Sequence, residues 1–249
     1  MAEMPRFAHL MILLLMGSEL CVVLGLATAL GGAIARRKLI AFLAAGAAMG
    51  IAAVYACLLL GVGWLSGEKI LAPGQWKYFC EADCHIAYSI ESVQAGDASG
   101  AAQGALSPSS ARVALRLKTW FDENSIAKFR GNGALKPEPR RVVLVDASGN
   151  EYLPLPVADS APSTPMTQPL RPGESYITCF LFQVPRDARD LRLLITDVNP
   201  ASRFIIDHEN SPFHGKILLR LSKSEGPLNP QSGQAAGRAT APAQGPQAG

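Results

Sequence analysis

The clearest structural signal in this chain is the segment Arg112-Val-Ala-Leu-Arg-Leu-Lys-Thr-Trp-Phe121. Its apolar side chains occupy alternate positions, and basic side chains stand between them. A period of two is typical of a β-strand that buries one face and exposes the other. The face predicted to be buried consists of Val113, Leu115, Leu117, Thr119 and Phe121.

Similar segments lie on both sides of this strand and are separated by frequent turn signals. Residues 175–184 alternate in the same way, with Tyr176, Thr178, Phe180 and Phe182 on one face. No segment between residues 76 and 221 has a convincing helical period. The pattern predicts a mainly β fold, an immunoglobulin-like antiparallel β-sandwich over residues 76–221. The other predicted strands are 78–93, 141–145, 151–155, 191–196, 203–206 and 216–221.

Two long apolar segments precede this domain, residues 10–34 and 39–65. Each is longer than the roughly 20 residues that a helix needs to cross a bilayer. Because so few residues separate them, they predict a transmembrane helical hairpin. The short connection carries Arg36, Arg37 and Lys38, which places it in the cytoplasm by the positive-inside rule. Both termini and the sandwich are then extracytoplasmic, at a bacterial inner (cytoplasmic) membrane.

The remaining segments are polar or rich in small residues. Residues 1–9 form an N-terminal tail, and residues 66–75 are predicted to be a juxtamembrane linker. Residues 222–249 consist largely of Gly, Ala, Pro and Gln and predict a disordered tail. The net charge of +3 is too small for a general nucleic-acid binder. The lipid bilayer is therefore the first partner that the sequence predicts, and nucleic acid is not among the predicted partners.

Polar and small residues inside the predicted spans point to helix contacts. Glu19 is an intramembrane carboxyl, and Tyr55 is expected at a similar depth on the other helix, so we predict a hydrogen-bonded pair. Gly46 and Gly50 form a G-x-x-x-G motif that lets helix backbones approach closely. The motif is explained either by packing within the hairpin or by a homodimer seam.

The segment Cys80-Glu-Ala-Asp-Cys84-His85 has two main interpretations. Cysteines outside the cytoplasm favour disulfides, and the candidates are a local bridge between Cys80 and Cys84 or a cross-strand bridge from either of them to Cys179. Two thiolates and an imidazole are also good ligands for copper or zinc, which makes Cys80, Cys84 and His85 a candidate metal site. A disulfide would consume the thiolates and exclude the metal. The expectation of no cofactor and the copper or zinc alternative both stay open here.

A second polar cluster is Asp207-His208-Glu209-Asn-Ser-Pro-Phe-His214. It is explained either as a turn-rich loop or as a carboxylate–histidine metal site formed by Asp207, His208, Glu209 and His214. No serine has an assignable His and Asp partner, and no glycine-rich phosphate loop is present. The sequence therefore identifies no catalytic residues and does not favour an enzyme.

Three motifs in order resemble those of bacterial telokin-like, immunoglobulin-like extracytoplasmic domains of unknown function. They are the Asp-x-x-Gly-x-x-Tyr hairpin at Asp146–Tyr152, the Pro-Gly-Glu turn ending at Glu174, and the Phe-x-Val-Pro strand end at Phe182–Pro185. The resemblance covers residues 112–221. It implies a fold and an extracytoplasmic location, and it assigns no catalytic residue.

These observations predict a membrane-anchored extracytoplasmic module for interaction or envelope structure, with a protein partner in the envelope. One alternative is a metal-binding or redox accessory module that uses Cys80, Cys84 and His85. A second alternative is a small accessory subunit of a larger membrane complex.

Overall fold

The computed structural model of the chain describes residues 8–79, 86–96, 110–126, 130–156 and 163–221. A pair of long helices comes first and a β-sandwich follows, as the sequence predicts. The elements, in chain order, are α1 (Ala8–Ile34), α2 (Lys38–Leu65), β1 (Lys69–Leu71), β2 (Lys77–Phe79), β3 (Ile86–Gly96), β4 (Ser110–Phe121), β5 (Arg140–Val145), β6 (Glu151–Tyr152), β7 (Ser175–Pro185), β8 (Arg192–Asp197), the 3-10 turn η1 (Pro200–Phe204) and β9 (Ile217–Arg220).

The two helices form an antiparallel hairpin that packs through small residues. A Cβ placed on Gly25 would lie 2.9 Å from the Cβ of Ala48, and one on Gly32 would lie 3.0 Å from the backbone nitrogen of Ala41. Such contacts allow the helix backbones to approach closely. Arg36, with a φ of 57°, takes a left-handed conformation in the tight turn between the helices.

Gly46 and Gly50 do not take part in this packing. Both are exposed, and a Cβ on either would meet no atom within 4 Å among the described residues outside its own helix backbone. The interpretation that the G-x-x-x-G motif packs inside the hairpin is therefore wrong. The homodimer seam stays a prediction, on a face of α2 that the hairpin leaves open.

Two sheets packed face to face make up the sandwich. One sheet has five strands in the order β1-β9-β8-β5-β6, and the other has four in the order β2-β3-β4-β7. Among the described strand pairs, β1 and β9 run parallel and the rest run antiparallel. β4 is a central strand of its sheet, since it pairs with β3 on one side and with β7 on the other.

The core lies between the sheets and contains the alternate side chains predicted from β4. Val113, Leu117 and Phe121 are completely buried, whereas the intervening Arg116 is exposed. Removing such side chains from water is the main favourable contribution to folding. The largest fully buried side chains are Tyr88, Phe121, Phe182, Ile86, Leu115, Leu117, Leu144, Leu170, Leu193, Ile195, Leu219 and Val113.

Three predicted segments differ from the structure. The predicted linker 66–75 contains β1, a strand of the five-stranded sheet. The predicted strand 78–93 is instead divided between β2 and β3, which pair antiparallel with each other. The predicted strand 203–206 begins inside η1, because Pro200 and the side chain of Asn199, which accepts from the Ala201 N–H, start a tight turn there.

The hairpin between β5 and β6 is organised by Asp146. Its carboxylate accepts hydrogen bonds from the backbone N–H groups of Ser148 and Asn150, from the Asn150 side chain and, at 2.7 Å, from the Tyr152 hydroxyl. Burial on its own raises the pKa of Asp146, but these donors outweigh burial and lower that pKa to about 2. Gly149 supplies the positive φ of 82° that the turn requires. The motif that carries the resemblance is therefore a structural turn.

Candidate functional site at the base of the sandwich

The loop formed by residues 198–216, between β8 and β9, lies against the C-terminal end of α2. At one end of the contact, the Tyr55 hydroxyl donates to the carbonyl oxygen of Phe204 at 2.6 Å. At the other end, the backbone N–H of Gly215 donates to Ser66 Oγ at 2.9 Å. Tyr55 and Ser66 are about three helical turns apart. The 198–216 loop therefore follows α2 over its last three turns.

Two glycines permit this close approach. A Cβ on Gly63 would lie 2.2 Å from the carbonyl oxygen of Pro212, and a Cβ on Gly215 would lie 2.3 Å from the carbonyl group of Gly67. In both cases the space is occupied by backbone, which cannot rotate away as a flexible side chain can. Both positions therefore require glycine if the loop is to remain seated on the helix.

The sandwich is held to α2 by further contacts at the junction. β1 begins a few residues after the helix ends, and its first residue, Lys69, donates its N–H to the Lys216 carbonyl at 2.9 Å. The carboxylate of Glu68 accepts from the Arg192 guanidinium at 2.7 Å. The sandwich thus continues directly from the helical hairpin, without a free linker.

A buried ion pair joins the 198–216 loop to both sheets. The Lys77 ammonium donates to Glu209 Oε2 at 2.7 Å, to the Ile195 carbonyl at 2.6 Å and to the Ile217 carbonyl at 2.9 Å. Lys77 is 3% exposed and Glu209 is 8% exposed. A lysine ammonium has three protons, so each has an acceptor. The lysine of β2 therefore ties together β8, the loop and β9.

Further charged groups surround this ion pair. The Arg140 guanidinium lies 3.3 Å from the Asp197 carboxylate and 4.4 Å above the Phe79 ring. His208 lies 4.0 Å from Asp197. Burial lowers the pKa of His208, and the nearby carboxylates of Glu209 and Asp197 offset this only in part. The imidazole is therefore neutral at pH 7, and the cluster consists mainly of paired charges that hold the loop in place.

The four residues predicted as a carboxylate–histidine site do not converge. His214 Nε2 lies 3.3 Å from Asp207, whereas His208 faces Asp197 and Glu209 is paired with Lys77. Within the described residues, no three His, Cys, Asp or Glu side chains are arranged to hold a metal ion. These four residues therefore serve separate contacts within the loop and with its neighbours.

The cysteine motif is not tested by the structure. Cys80, Cys84 and His85 lie outside the described residues, in the segment that joins Phe79 to its strand partner Ile86. The disulfide and metal interpretations of that motif both stay predictions.

Cys179 lies on β7 as an exposed, free thiol. The structure therefore gives no disulfide to this third cysteine, contrary to the interpretation that paired it with Cys80 or Cys84. Because β7 presents Cys179 on the same face as Arg116 of the neighbouring strand, the thiol points away from the core.

The Tyr55 hydroxyl has a partner in the 198–216 loop that the sequence does not predict. It donates to the Phe204 carbonyl, which lies 149 residues further along the chain. Glu19 is exposed on α1, and in a pair with Tyr55 it would have to be protonated and act as the donor, because the Tyr55 proton is already donated to Phe204. A direct hydrogen bond between Glu19 and Tyr55 therefore stays a prediction.

An apolar groove of about 420 Å³ runs along the hairpin next to Gly50. Its walls come from both helices, so the open face of α2 continues into it. The lining residues are Leu14, Ser18, Ala47, Gly50, Ile51, Val54, Tyr55 and Leu58.

The sequence reasoning missed the central members of this site, Lys77, Arg140, Asp197 and Phe204. Lys77 stands among aromatic residues, in a strand too short for alternation to show which face is inside. Lys77 can be assigned to the buried face of β2 once Phe79, two residues further along the strand, is known to be buried.

Comparison with known proteins identifies distant similarity of fold. MPT63, a secreted protein of Mycobacterium tuberculosis, is 10% identical over 61% of this chain and 97% of its own length, with a TM-score of 0.39. An uncharacterised β-sandwich protein of Clostridium difficile is 9% identical over 63% of this chain and 96% of its own, with a TM-score of 0.36. A conserved hypothetical protein of Bacillus anthracis is 17% identical over 48% and 85%, with a TM-score of 0.32.

No protein-family model matches this chain, and no curated protein matches it in sequence. Inferences about its function therefore rest on the residues and contacts of this chain.

Proposed function

We propose that this protein is a bacterial envelope module in which a two-helix membrane anchor carries a β-sandwich outside the cytoplasmic membrane. The sandwich serves interaction or envelope structure rather than catalysis. The observation that carries the proposal is the exposed apolar surface of both helices, along segments 10–34 and 38–65. A bilayer is the environment that covers such a surface without further protein.

Long apolar helices also occur in the cores of soluble proteins and in secretory signal sequences, but both fit this chain less well. A core helix of a soluble protein would be mostly buried. In the most apolar 18-residue segment of α1, 0% of the residues are buried, and in that of α2, 11% are buried. A secretory signal sequence is one N-terminal segment that is removed. Here the second segment packs against the first and continues directly into β1.

The direction of insertion follows from the turn between the helices. Arg36, Arg37 and Lys38 are concentrated there, and basic residues favour the cytoplasmic side. The N-terminus of α1 and the C-terminus of α2 then lie outside with the sandwich. The close junction at Ser66–Glu68 fixes the sandwich to the anchor, which suits a module that presents its surface in a set orientation.

The experiment that tests this proposal is extraction and topology mapping of the full chain in bacteria. After alkaline carbonate treatment, we expect the protein to stay with the membrane pellet. Alkaline phosphatase fused after Gly249 should be active, and a green fluorescent protein fused at the same position should be dark. Extraction into the soluble fraction would overturn the membrane anchor. A bright fluorescent fusion together with an inactive phosphatase fusion would overturn its orientation.

A matched variant tests the cause of the orientation. Replacing Arg36, Arg37 and Lys38 together by Ser removes the charge bias while leaving both apolar segments unchanged. We expect a mixed orientation, with phosphatase activity lowered and fluorescence raised. Replacing the same number of basic residues in the exported domain, at Arg112, Arg116 and Lys118, should leave the orientation unchanged.

A further inference from the structure

We propose that the 198–216 loop is a lipid-contacting element that inserts Phe204 into the outer leaflet and places Phe213 among the lipid headgroups. The inference rests on the proposed membrane anchor and extends it from the helices to the sandwich. The partner is the bilayer that surrounds α2.

The exposed apolar side chains of the sandwich are concentrated on this loop. Outside the helices, the exposed large apolar residues that the structure describes are Ile70, Leu153, Val198, Phe204 and Phe213. Three of these five lie on the 198–216 loop, where Phe204 is 57% exposed and Phe213 is 73% exposed. Phenylalanine side chains gain free energy when they leave water, and Phe is among the residues that interfacial segments bury at the boundary between headgroups and acyl chains.

The position of the loop along α2 gives the depth of insertion. If Lys38 marks the cytoplasmic boundary, the helical rise puts Tyr55 about 26 Å above it. A bilayer has a hydrocarbon core about 30 Å thick, so the level of Tyr55 lies about 4 Å inside the outer boundary. Phe204 is at that level, since its carbonyl accepts from the Tyr55 hydroxyl.

Phe213 is placed higher by the same reasoning. Its neighbour Pro212 contacts Gly63, which lies about 38 Å above Lys38 by the helical rise and hence above the hydrocarbon core. Trp64, 82% exposed, is at the same level. Two aromatic side chains therefore lie at headgroup depth, where aromatic belts of membrane proteins are found.

The backbone of the loop is suited to this environment. Backbone groups that leave water need internal partners. The loop provides a series of hydrogen bonds from the N–H of each third residue to the carbonyl three residues before it. The donors are Ser202, Ile205, His208, Ser211 and His214.

The carbonyl of Phe204, at the deepest point of the loop, accepts from the Tyr55 hydroxyl. The group that would be most costly to leave unpaired is therefore satisfied by the helix itself. A lipid occupant is favoured over a second protein because Phe204 continues the exposed apolar surface of α2, which the same bilayer would cover.

The test is photolabelling of the full chain in phosphatidylcholine vesicles with a hydrophobic aromatic diazirine, which forms a reactive carbene in the acyl region. Trypsin cleaves after Arg203 and Lys216 and releases peptide 204–216, which contains both phenylalanines. We expect severalfold more label in this peptide than in the peptide that contains Leu153. Leu153 is the control because its side chain is 65% exposed and it directly follows β6, the edge strand at the other side of the sheet from β1. Replacement Phe204→Ser should lower the label in peptide 204–216.

The outcomes separate this inference from the proposed anchor. Label in the helices and in peptide 204–216, with little at Leu153, supports both. Label in the helices with no excess in peptide 204–216 overturns the lipid contact and leaves the anchor standing. Equal label at Leu153 and in peptide 204–216 also overturns it, since the labelling then reports exposure alone. Absence of label from the helices overturns the anchor itself.

Fluorescence quenching by brominated lipid tests the same contact without the labelling chemistry. In a Trp64→Phe background, the replacement Phe204→Trp should give fluorescence that brominated phosphatidylcholine quenches, whereas Leu153→Trp should give added fluorescence that it does not quench. Equal quenching of the two variants would overturn the inference.

Discussion

Replacing Lys77 by Met should destabilise the sandwich strongly. The side chain is of similar length, but it removes the cation that Glu209 faces at 2.7 Å and all three donors to buried acceptors. Breaking a buried ion pair from one side costs about 3–5 kcal/mol, because the remaining charge is left uncompensated. Glu209 Oε1 has no hydrogen-bond partner among the described residues, so the hydrogen bond that this carboxylate side chain accepts there comes from Lys77.

The effect can be measured by thermal unfolding of the full chain in detergent. Trp76 is next to Lys77 and packs on Trp120 with ring centroids 5.2 Å apart, so tryptophan fluorescence reports on this part of the sandwich. A domain of this size loses about 2–4 °C in Tm per kcal/mol. We therefore expect Tm to fall by about 10 °C.

The matched control is Arg141→Met, which breaks the exposed ion pair between Arg141 and Glu151. An exposed pair contributes about 0–1 kcal/mol, so Tm should change by a few degrees at most. If Lys77→Met lowers Tm no further than Arg141→Met, the argument from the buried ion pair is refuted.

Three further sets of substitutions test the contact between the 198–216 loop and α2, the β5–β6 turn, and the open face of α2. Gly63→Ala should displace the 198–216 loop and increase proteolysis within it, because the new methyl group would collide with the Pro212 carbonyl, whereas Gly61→Ala has open space and should not. Equal proteolysis of the two variants would contradict the close contact between the loop and α2. Asp146→Asn should remove about 2 kcal/mol of stability at pH 7, because folding lowers the pKa of Asp146 from 3.8 to about 2; the assay is the denaturant midpoint. This stabilisation is present above pH 4 and is lost as the pH falls through 2, so a variant that keeps the acid sensitivity of the native chain would show that another group is responsible. Gly46→Ile combined with Gly50→Ile should abolish energy transfer between labelled copies in vesicles if the open face is a dimer seam; unchanged transfer would exclude that seam.

Much of the architecture was predictable because single-face burial leaves a periodic signal. The alternation in β4 and β7 is confirmed by their burial, and the two apolar segments are confirmed as long helices. The short strand β1 carries no such period, and its role depends on a partner at the other end of the domain. The sequence therefore assigned residues 66–75 to a linker.

The site was harder to predict because its contacts are distant in sequence. Tyr55 meets Phe204, and Lys77 meets Glu209, 132 residues later. The sequence did point to the region of the loop, since Asp207, His208, Glu209 and His214 form an unusual polar cluster. Their residue types also allow a metal site as an alternative to a turn-rich loop, and the role of Glu209 becomes clear once its lysine partner is known.

The parallel pairing of β1 with β9 also affects the biosynthesis of this protein. Among the strands that the structure describes, β1 is the first to leave the ribosome after the two helices, and its partner in the sheet, β9, is the last. During synthesis, the first strand therefore keeps an open edge until nearly all of the described sandwich has been made. The sandwich is completed next to the helices from which it starts, so a change in the position of β9 displaces β1 and with it the end of α2.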